Sequence, residues 1–134
     1  MAGTFTWERR KMGKKIRPLG VFEVPLFNTQ VAVFDDLDKL QKYHTKTIGE
    51  DAIEGINKAS LGMCIRQEGG DGRMWFYLFI SPGANIYTRI HECSHLVDWI
   101  CDLYAVPIDV HNTEVRAYMM ADVCKLLDEV LGDE

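Results

Sequence analysis

The 134-residue chain is 47% hydrophobic and has a formal net charge of −5, so it can form one folded domain and is not disordered throughout. The charge is uneven: residues 1–17 sum to +5 and the remainder to −10. An acidic body argues against an extended nucleic-acid interface, because phosphate binding requires a positive surface. Neither a secretory leader nor an apolar run of about 20 residues is evident, so we expect a cytoplasmic protein without membrane contact.

The basic segment at residues 1–17 predicts an N-terminal tail, followed by a single domain over residues 18–134. A solvated terminus is one interpretation of such a tail. The other is contact with nucleic acid or another acidic partner, which only residues 9–17 would provide.

The first elements of the domain are short. Residues 21–25 and 30–34 are β-prone and are separated by Asn28, a turn residue. Asp35 and Asp36 offer an N-cap for a helix that reaches about Tyr43. Residues 45–58 are polar, with one helical turn predicted near 51–56.

A hairpin and two helices follow. Residues 60–67 and 74–81 predict two strands joined by the glycine-rich turn at 68–72, and the aromatic residues of the second strand are interpreted as packing. Residues 85–104 have helical periodicity, with Trp99 expected in the core, and Pro107 prevents simple continuation. A second helix is predicted from Asn112–Thr113 to about residue 131. This order predicts an α+β fold.

The four cysteines are not arranged in a C-x-x-C pattern. We interpret them as reduced and mostly buried thiols, in keeping with the expected cytoplasmic location. They are Cys64, Cys93, Cys101 and Cys124.

The motif that points to a catalytic site is H-E-x-x-H at residues 91–95 (HECSH), within the first predicted long helix. Residues four apart lie on one helix face, so His91 and His95 can bind one metal ion. Glu92 can then act as general base toward a zinc-activated water, as in zinc metallopeptidases. The motif therefore predicts a peptide-bond hydrolase.

A catalytic zinc usually has three protein ligands, so a third must come from elsewhere. Glu114 is favoured, because it lies in the first turn of the next helix, where the helix dipole keeps a carboxylate ionised. If the two helices form an antiparallel pair, the chain brings Glu114 back toward the face that carries the motif. His111, in the preceding loop, is the alternative as ligand or oxyanion donor, and His44 lies far upstream.

The two motifs carry a family resemblance. Residues 91–95 are followed, after a hydrophobic stretch, by residues 112–118 (NTEVRAY). The chain thus resembles minimal members of the gluzincin side of the zincin superfamily, and small phage and prophage proteins with HECxH and then E-x-x-A-Y. The resemblance covers residues 60–127. It implies a zincin-like fold: a small sheet with a hairpin, the motif helix, and a second helix that bears the glutamate.

Carried over to this sequence, the resemblance implies His91, His95 and Glu114 as zinc ligands and Glu92 as the base. Manganese, nickel or cobalt could also occupy such a site in vitro. Larger gluzincins often have an aspartate four residues after the ligand glutamate, where this chain has Tyr118. They also have a large C-terminal domain without a counterpart here.

The partners of the ligand histidines and the oxyanion donor stay open at the level of sequence. A ligand histidine normally donates its second N–H to a partner, and Asp98 or Asp122 could serve. Oxyanion donors could come from Tyr87, Tyr104, His111, Arg116 or Tyr118.

The partner expected for such an enzyme is a peptide or protein substrate. An extended peptide would pair with an edge strand of the hairpin. The alternative is a catalytically weak zinc-binding regulatory or interaction module of a phage or prophage, associated with nucleic acid through its basic tail.

Overall fold

The computed structural model describes residues 16–48, 53–69 and 72–132. The predicted basic tail therefore lies outside the described residues, except for Ile16 and Arg17. The elements in chain order are β1 (Gly20–Val24), β2 (Thr29–Phe34), α1 (Leu37–Ile48), β3 (Gly62–Glu68), β4 (Met74–Ile80), α2 (Ile86–Leu103) and α3 (Thr113–Leu131).

One mixed sheet holds the four strands in the order β1-β2-β4-β3. The β1–β2 and β3–β4 pairs are antiparallel, whereas β2 and β4 are parallel. The predicted α+β class is confirmed, as is the hairpin that precedes two helices. Within the described sheet β3 has a neighbour on one side only, so it is an edge strand.

The start of the domain follows the sequence signals. Asn28 adopts the left-handed conformation (φ 53°) in the β1–β2 turn, as its residue type favours. Asp36 caps α1 by accepting a hydrogen bond from the Lys39 N–H at 3.1 Å, and α1 extends beyond the predicted end at Tyr43. The helical turn predicted near 51–56 is wrong in its described part, because Gly55 has φ 77° in a non-helical turn; residues 51–52 lie outside the described residues.

Helices cover both faces of the sheet, which is why β4 is apolar on both sides. Phe76 and Leu78 face the cluster that α2 and α3 complete, whereas Tyr77 and Phe79 face the cluster under α1. The aromatic residues of β4 are therefore packing residues, as predicted. This arrangement sets the motif helix and α1 on opposite sides of the sheet.

α2 and α3 form an antiparallel pair, as the third-ligand argument requires. Arg89 near the start of α2 forms a salt bridge with Asp128 near the end of α3, at 3.0 Å. At the opposite end Arg116 forms one with Asp98, at 2.9 Å.

The buried face of α2 differs in part from the face that the spacing of its apolar residues predicts. Leu96, Val97 and Ile100 are buried, but Ile90 is 43% exposed because it lies beyond the edge of the sheet-facing stripe. Trp99 is also exposed, at 41%, which corrects its predicted place in the core.

Within the described residues, no helix has both the length and the apolarity needed to cross a bilayer.

All four cysteines are free thiols, two of them fully buried. Burial raises the pKa of Cys93, and its neighbours Cys124 and Cys64 act in the same direction. Burial also raises the pKa of the other three thiols, which favours their protonated form.

Candidate metal and active site

The two motif histidines lie on the exposed face of α2, one helical turn apart. Their Nε2 atoms are 3.2 Å from each other. The rings are nearly perpendicular (84°), with centroids 4.7 Å apart. The local rise and twist of the helix produce this proximity, because side chains at i and i+4 lie above one another.

The separation of the two nitrogens fits a shared metal ion. Two zinc–nitrogen bonds of about 2.0–2.1 Å at a tetrahedral angle place the nitrogens about 3.3 Å apart. His91 and His95 nearly match that spacing. The same distance also permits a direct hydrogen bond between the rings when only one Nε2 carries a proton.

Glu92 lies between α2 and the edge strand. Its side chain is only 7% exposed, and its carboxylate accepts a hydrogen bond from the backbone N–H of Cys64. β3 pairs only with β4, and the ladder bonds at Leu61 and Gly69 set the alternation along the strand, so the N–H of Cys64 points to the free edge of the sheet. Glu92 is thus anchored on the strand beside which the histidines lie.

Burial dominates the charge state of Glu92. Removal from water raises its pKa above the ordinary value near 4.5, against the opposing influence of His91, His95 and the Cys64 N–H. A carboxylate with a raised pKa is a better proton acceptor near neutral pH than an ordinary one.

The predicted third ligands do not join the histidine pair. Among the described residues, groups of three or more His, Cys, Asp or Glu side chains placed to hold a metal ion do not occur. Glu114 lies exposed in the first turn of α3, and His111 lies exposed in the preceding loop, where its backbone N–H bonds Asp109. The role of Glu114 as a ligand therefore stays a prediction.

His44 belongs to a different environment. It is fully buried on α1, and its Nδ1 lies 2.6 Å from the hydroxyl of Tyr77 on the opposite sheet face from the motif. It therefore cannot reach the pair without unfolding of α1.

Asp98 has a partner other than a histidine. Its Oδ1 accepts a hydrogen bond from Nε of Arg116 at 2.9 Å, and the same guanidinium bonds Ser94 Oγ at 3.0 Å. Tyr118, two residues after Arg116 on α3, is 69% exposed. The supporting roles of Asp98 and Tyr118 stay predictions, and the described contact of Asp98 is with Arg116 rather than with a histidine.

The chain matches no protein-family model, no curated protein and no solved structure.

Residues of β3 contact the motif helix, and their sequence did not single them out. Gly62 lies against Thr88 and Glu92. Further along, Arg66 bonds Asp102 at 2.7 Å, and its guanidinium carbon lies 5.2 Å from the centroid of the Trp99 ring.

These contacts show that β3 runs beside α2 in the same direction. The one available sequence signal was a glycine at the start of a strand, which marks a close backbone approach.

Proposed function

We propose that this protein is a zinc-dependent metallopeptidase whose centre is the His91–His95 pair. The observation that carries the proposal is the 3.2 Å separation of the two Nε2 atoms on an exposed helix face. Glu92 lies beside that face, which a purely structural pair of histidines would not need. Zinc is preferred because imidazole and carboxylate donors in an open site suit it.

Glu92 is the proposed general base. When bound, zinc supplies Lewis acidity: it lowers the pKa of water and polarises a carbonyl. Burial already raises the pKa of Glu92, so its carboxylate can accept a proton near neutral pH and return it to a leaving amine. The backbone N–H of Cys64 acts in the opposite direction and lowers the pKa of Glu92.

Glu114 is the proposed third ligand. It lies in the first turn of α3, at the end of the antiparallel pair that also holds Asp98 and Ser94. An exposed side chain in a first turn is free to change rotamer. Glu114 would be the third residue to hold the ion, with His91 and His95.

The edge strand β3 is the proposed docking site for an extended peptide. It runs beside α2, so a peptide added to it would pass along the motif helix. Exposed apolar side chains flank the beginning of both elements and would favour apolar residues in the substrate. They are Leu61, Ile86, Tyr87 and Ile90.

The test combines metal content with cleavage. Zinc per chain is measured by elemental mass spectrometry after dialysis, for the wild type and for His95→Ala, Glu114→Ala and Glu92→Gln. Cleavage is measured with fluorescently labelled unfolded casein and with an unbiased peptide library.

We expect about one zinc per wild-type chain, strongly reduced zinc in His95→Ala and Glu114→Ala, and retained zinc without cleavage in Glu92→Gln. Glu129→Gln, an exposed carboxylate of α3, is the matched control for loss of a negative charge. A wild type that takes up no zinc from added metal would contradict the proposal.

Two observations favour the second candidate, a binding module with little turnover. The carboxylate of Glu92 is buried against β3, and the described residues gather only two of three ligands. Zinc binding without cleavage of any peptide would support this function. A salt-dependent affinity for DNA that disappears on deletion of residues 1–17 would add the nucleic-acid association.

A further inference from the structure

The free edge of β3 presents backbone groups without a strand partner in the described sheet. β3 is the last strand in the order β1-β2-β4-β3 and pairs only with β4, in antiparallel orientation. The ladder bonds from the Ser81 N–H to the Leu61 carbonyl and from the Gly69 N–H to the Arg73 carbonyl show that odd-numbered residues face β4. The N–H and carbonyl groups of residues 62, 64, 66 and 68 therefore point away from β4.

An edge of this kind is a template for further strands. Its N–H and carbonyl groups match those of any other extended backbone, so neighbouring molecules can pair with it unless something covers it. Proline within the strand or a charged side chain directed onto it can prevent such pairing. The centre of β3 is the apolar run Met63–Ile65, without proline, so it offers no barrier of its own.

The side chain of Glu92 reaches from α2 onto this edge. It leaves α2 beside Gly62, where a Cβ atom would be 3.0 Å from Glu92 Cγ. Its carboxylate accepts a hydrogen bond from the Cys64 N–H, which is one of the edge groups. Glu92 is only 7% exposed, so its side chain lies against the strand rather than in solvent. An incoming strand would have to displace this carboxylate before it could bond Cys64.

The β3 edge of a second copy of this chain fits the edge that Glu92 occupies. Antiparallel pairing across a twofold axis at Ile65 places Cys64 opposite Arg66 of the other copy, and Gly62 opposite Glu68. These are the residues whose backbone groups point away from β4, and like charges do not face each other in this register. The Cys64 N–H would then bond the Arg66 carbonyl of the other copy, in direct competition with Glu92.

We propose that Glu92 blocks the β3 edge, and that its bond with the Cys64 N–H prevents this edge from pairing with β3 of a second copy. No bound metal ion is needed for this role, which is separate from the proposed one as general base. Loss of the carboxylate would leave Cys64 free to pair. An extended peptide that docks on β3 would have to displace the same contact.

The experiment measures self-association of the full chain by sedimentation velocity in EDTA over a series of protein concentrations. Glu92→Ala opens the Cys64 N–H, whereas Glu92→Gln keeps an acceptor for it. Glu129→Ala, on the exposed face of α3, is the control for loss of a carboxylate. Glu68→Pro is added to Glu92→Ala, because proline at position 68 removes an N–H of the free edge and leaves the ladder with β4 intact.

We expect Glu92→Ala to associate about tenfold or more tightly than the wild type, because a hydrogen bond to a charged acceptor no longer has to be broken. Glu92→Gln and Glu129→Ala should match the wild type, and Glu68→Pro should reverse the effect of Glu92→Ala. Equal association of Glu92→Ala and the wild type would overturn the proposal. Stronger association that Glu68→Pro does not reverse would also overturn it, since such a contact forms elsewhere on the molecule.

Amide exchange of the wild type tests the contact itself and does not depend on the folding of any variant. Residue-resolved exchange by NMR should show a higher protection factor at the Cys64 N–H than at the Arg66 N–H, which points to the same edge. Equal protection of the two would overturn the proposal. Neither zinc content nor peptide cleavage enters these measurements, so the proposed function and this role of Glu92 can fail independently.

Discussion

Gly62 and Glu92 lie in direct contact, and no larger residue fits at position 62 without displacement. A Cβ atom on Gly62 would be 3.0 Å from Glu92 Cγ and 2.7 Å from Thr88 Cγ2. The backbone of the edge strand at Gly62 therefore lies directly against the Thr88 and Glu92 side chains of the motif helix. This approach is what places the Cys64 N–H within reach of the Glu92 carboxylate.

Gly62→Ala should force β3 and α2 apart. We expect a loss of about 1–3 kcal/mol in the free energy of unfolding, the usual range for overpacking. Urea denaturation provides the measurement. Gly83→Ala is the control, since a Cβ at Gly83 meets nothing within 4 Å; equal stability of the two variants would contradict the close approach.

Glu92→Gln should stabilise the metal-free protein increasingly as pH rises. The folded-state pKa of Glu92 is raised above the unfolded value near 4.5, so the folded state holds the proton more tightly. That contribution to stability is present below pH 4.5 and is lost as pH rises through the folded pKa. Gln, which does not ionise, avoids the loss and retains an acceptor for the Cys64 N–H.

The measurement for this variant is unfolding by urea in EDTA between pH 4 and 8. The difference in the free energy of unfolding between Glu92→Gln and the wild type should grow with pH. Glu129→Gln, on the exposed face of α3, is the control for the pH dependence that loss of any carboxylate produces. A difference that stays constant with pH would show that burial does not perturb Glu92.

Tyr77→Phe should destabilise the α1 face of the sheet. The Tyr77 hydroxyl lies 2.6 Å from His44 Nδ1, and both side chains are fully buried. Loss of a hydrogen-bond partner at a buried polar atom costs about 1–3 kcal/mol. Tyr87→Phe, at an exposed tyrosine on α2, should leave the unfolding midpoint unchanged.

Tyr104→Phe should loosen the junction between the β1–β2 turn and the end of α2. The Tyr104 hydroxyl donates to the Phe27 carbonyl at 2.9 Å and accepts from Thr29 Oγ1 at 3.0 Å. We expect a loss of about 1 kcal/mol and faster amide exchange in the turn. Tyr118→Phe at an exposed hydroxyl is the control, and an identical exchange rate in both variants would refute the role.

Local patterns predicted the elements well. The hairpin of β3 and β4, the capped start of α1 and the two long helices follow from alternation, turn residues and helical periodicity, all of which act within a few residues. The prediction failed at residues 53–56, where Gly55 adopts a left-handed conformation that the polar composition does not specify. It failed again at Trp99, because periodicity does not tell which apolar positions face the sheet.

The sequence by itself determined the proximity of His91 and His95, because four residues of one helix turn fix their distance whatever surrounds them. Only the tertiary structure decided the rest of the site. In the folded chain β3 is an edge strand, and Glu92 is buried against it. Asp98 forms a hydrogen bond with Arg116, and His44 lies on the opposite face of the sheet from the motif. These contacts join residues that are 18 to 33 positions apart, so they depend on how helices pack on the sheet, which no local pattern encodes.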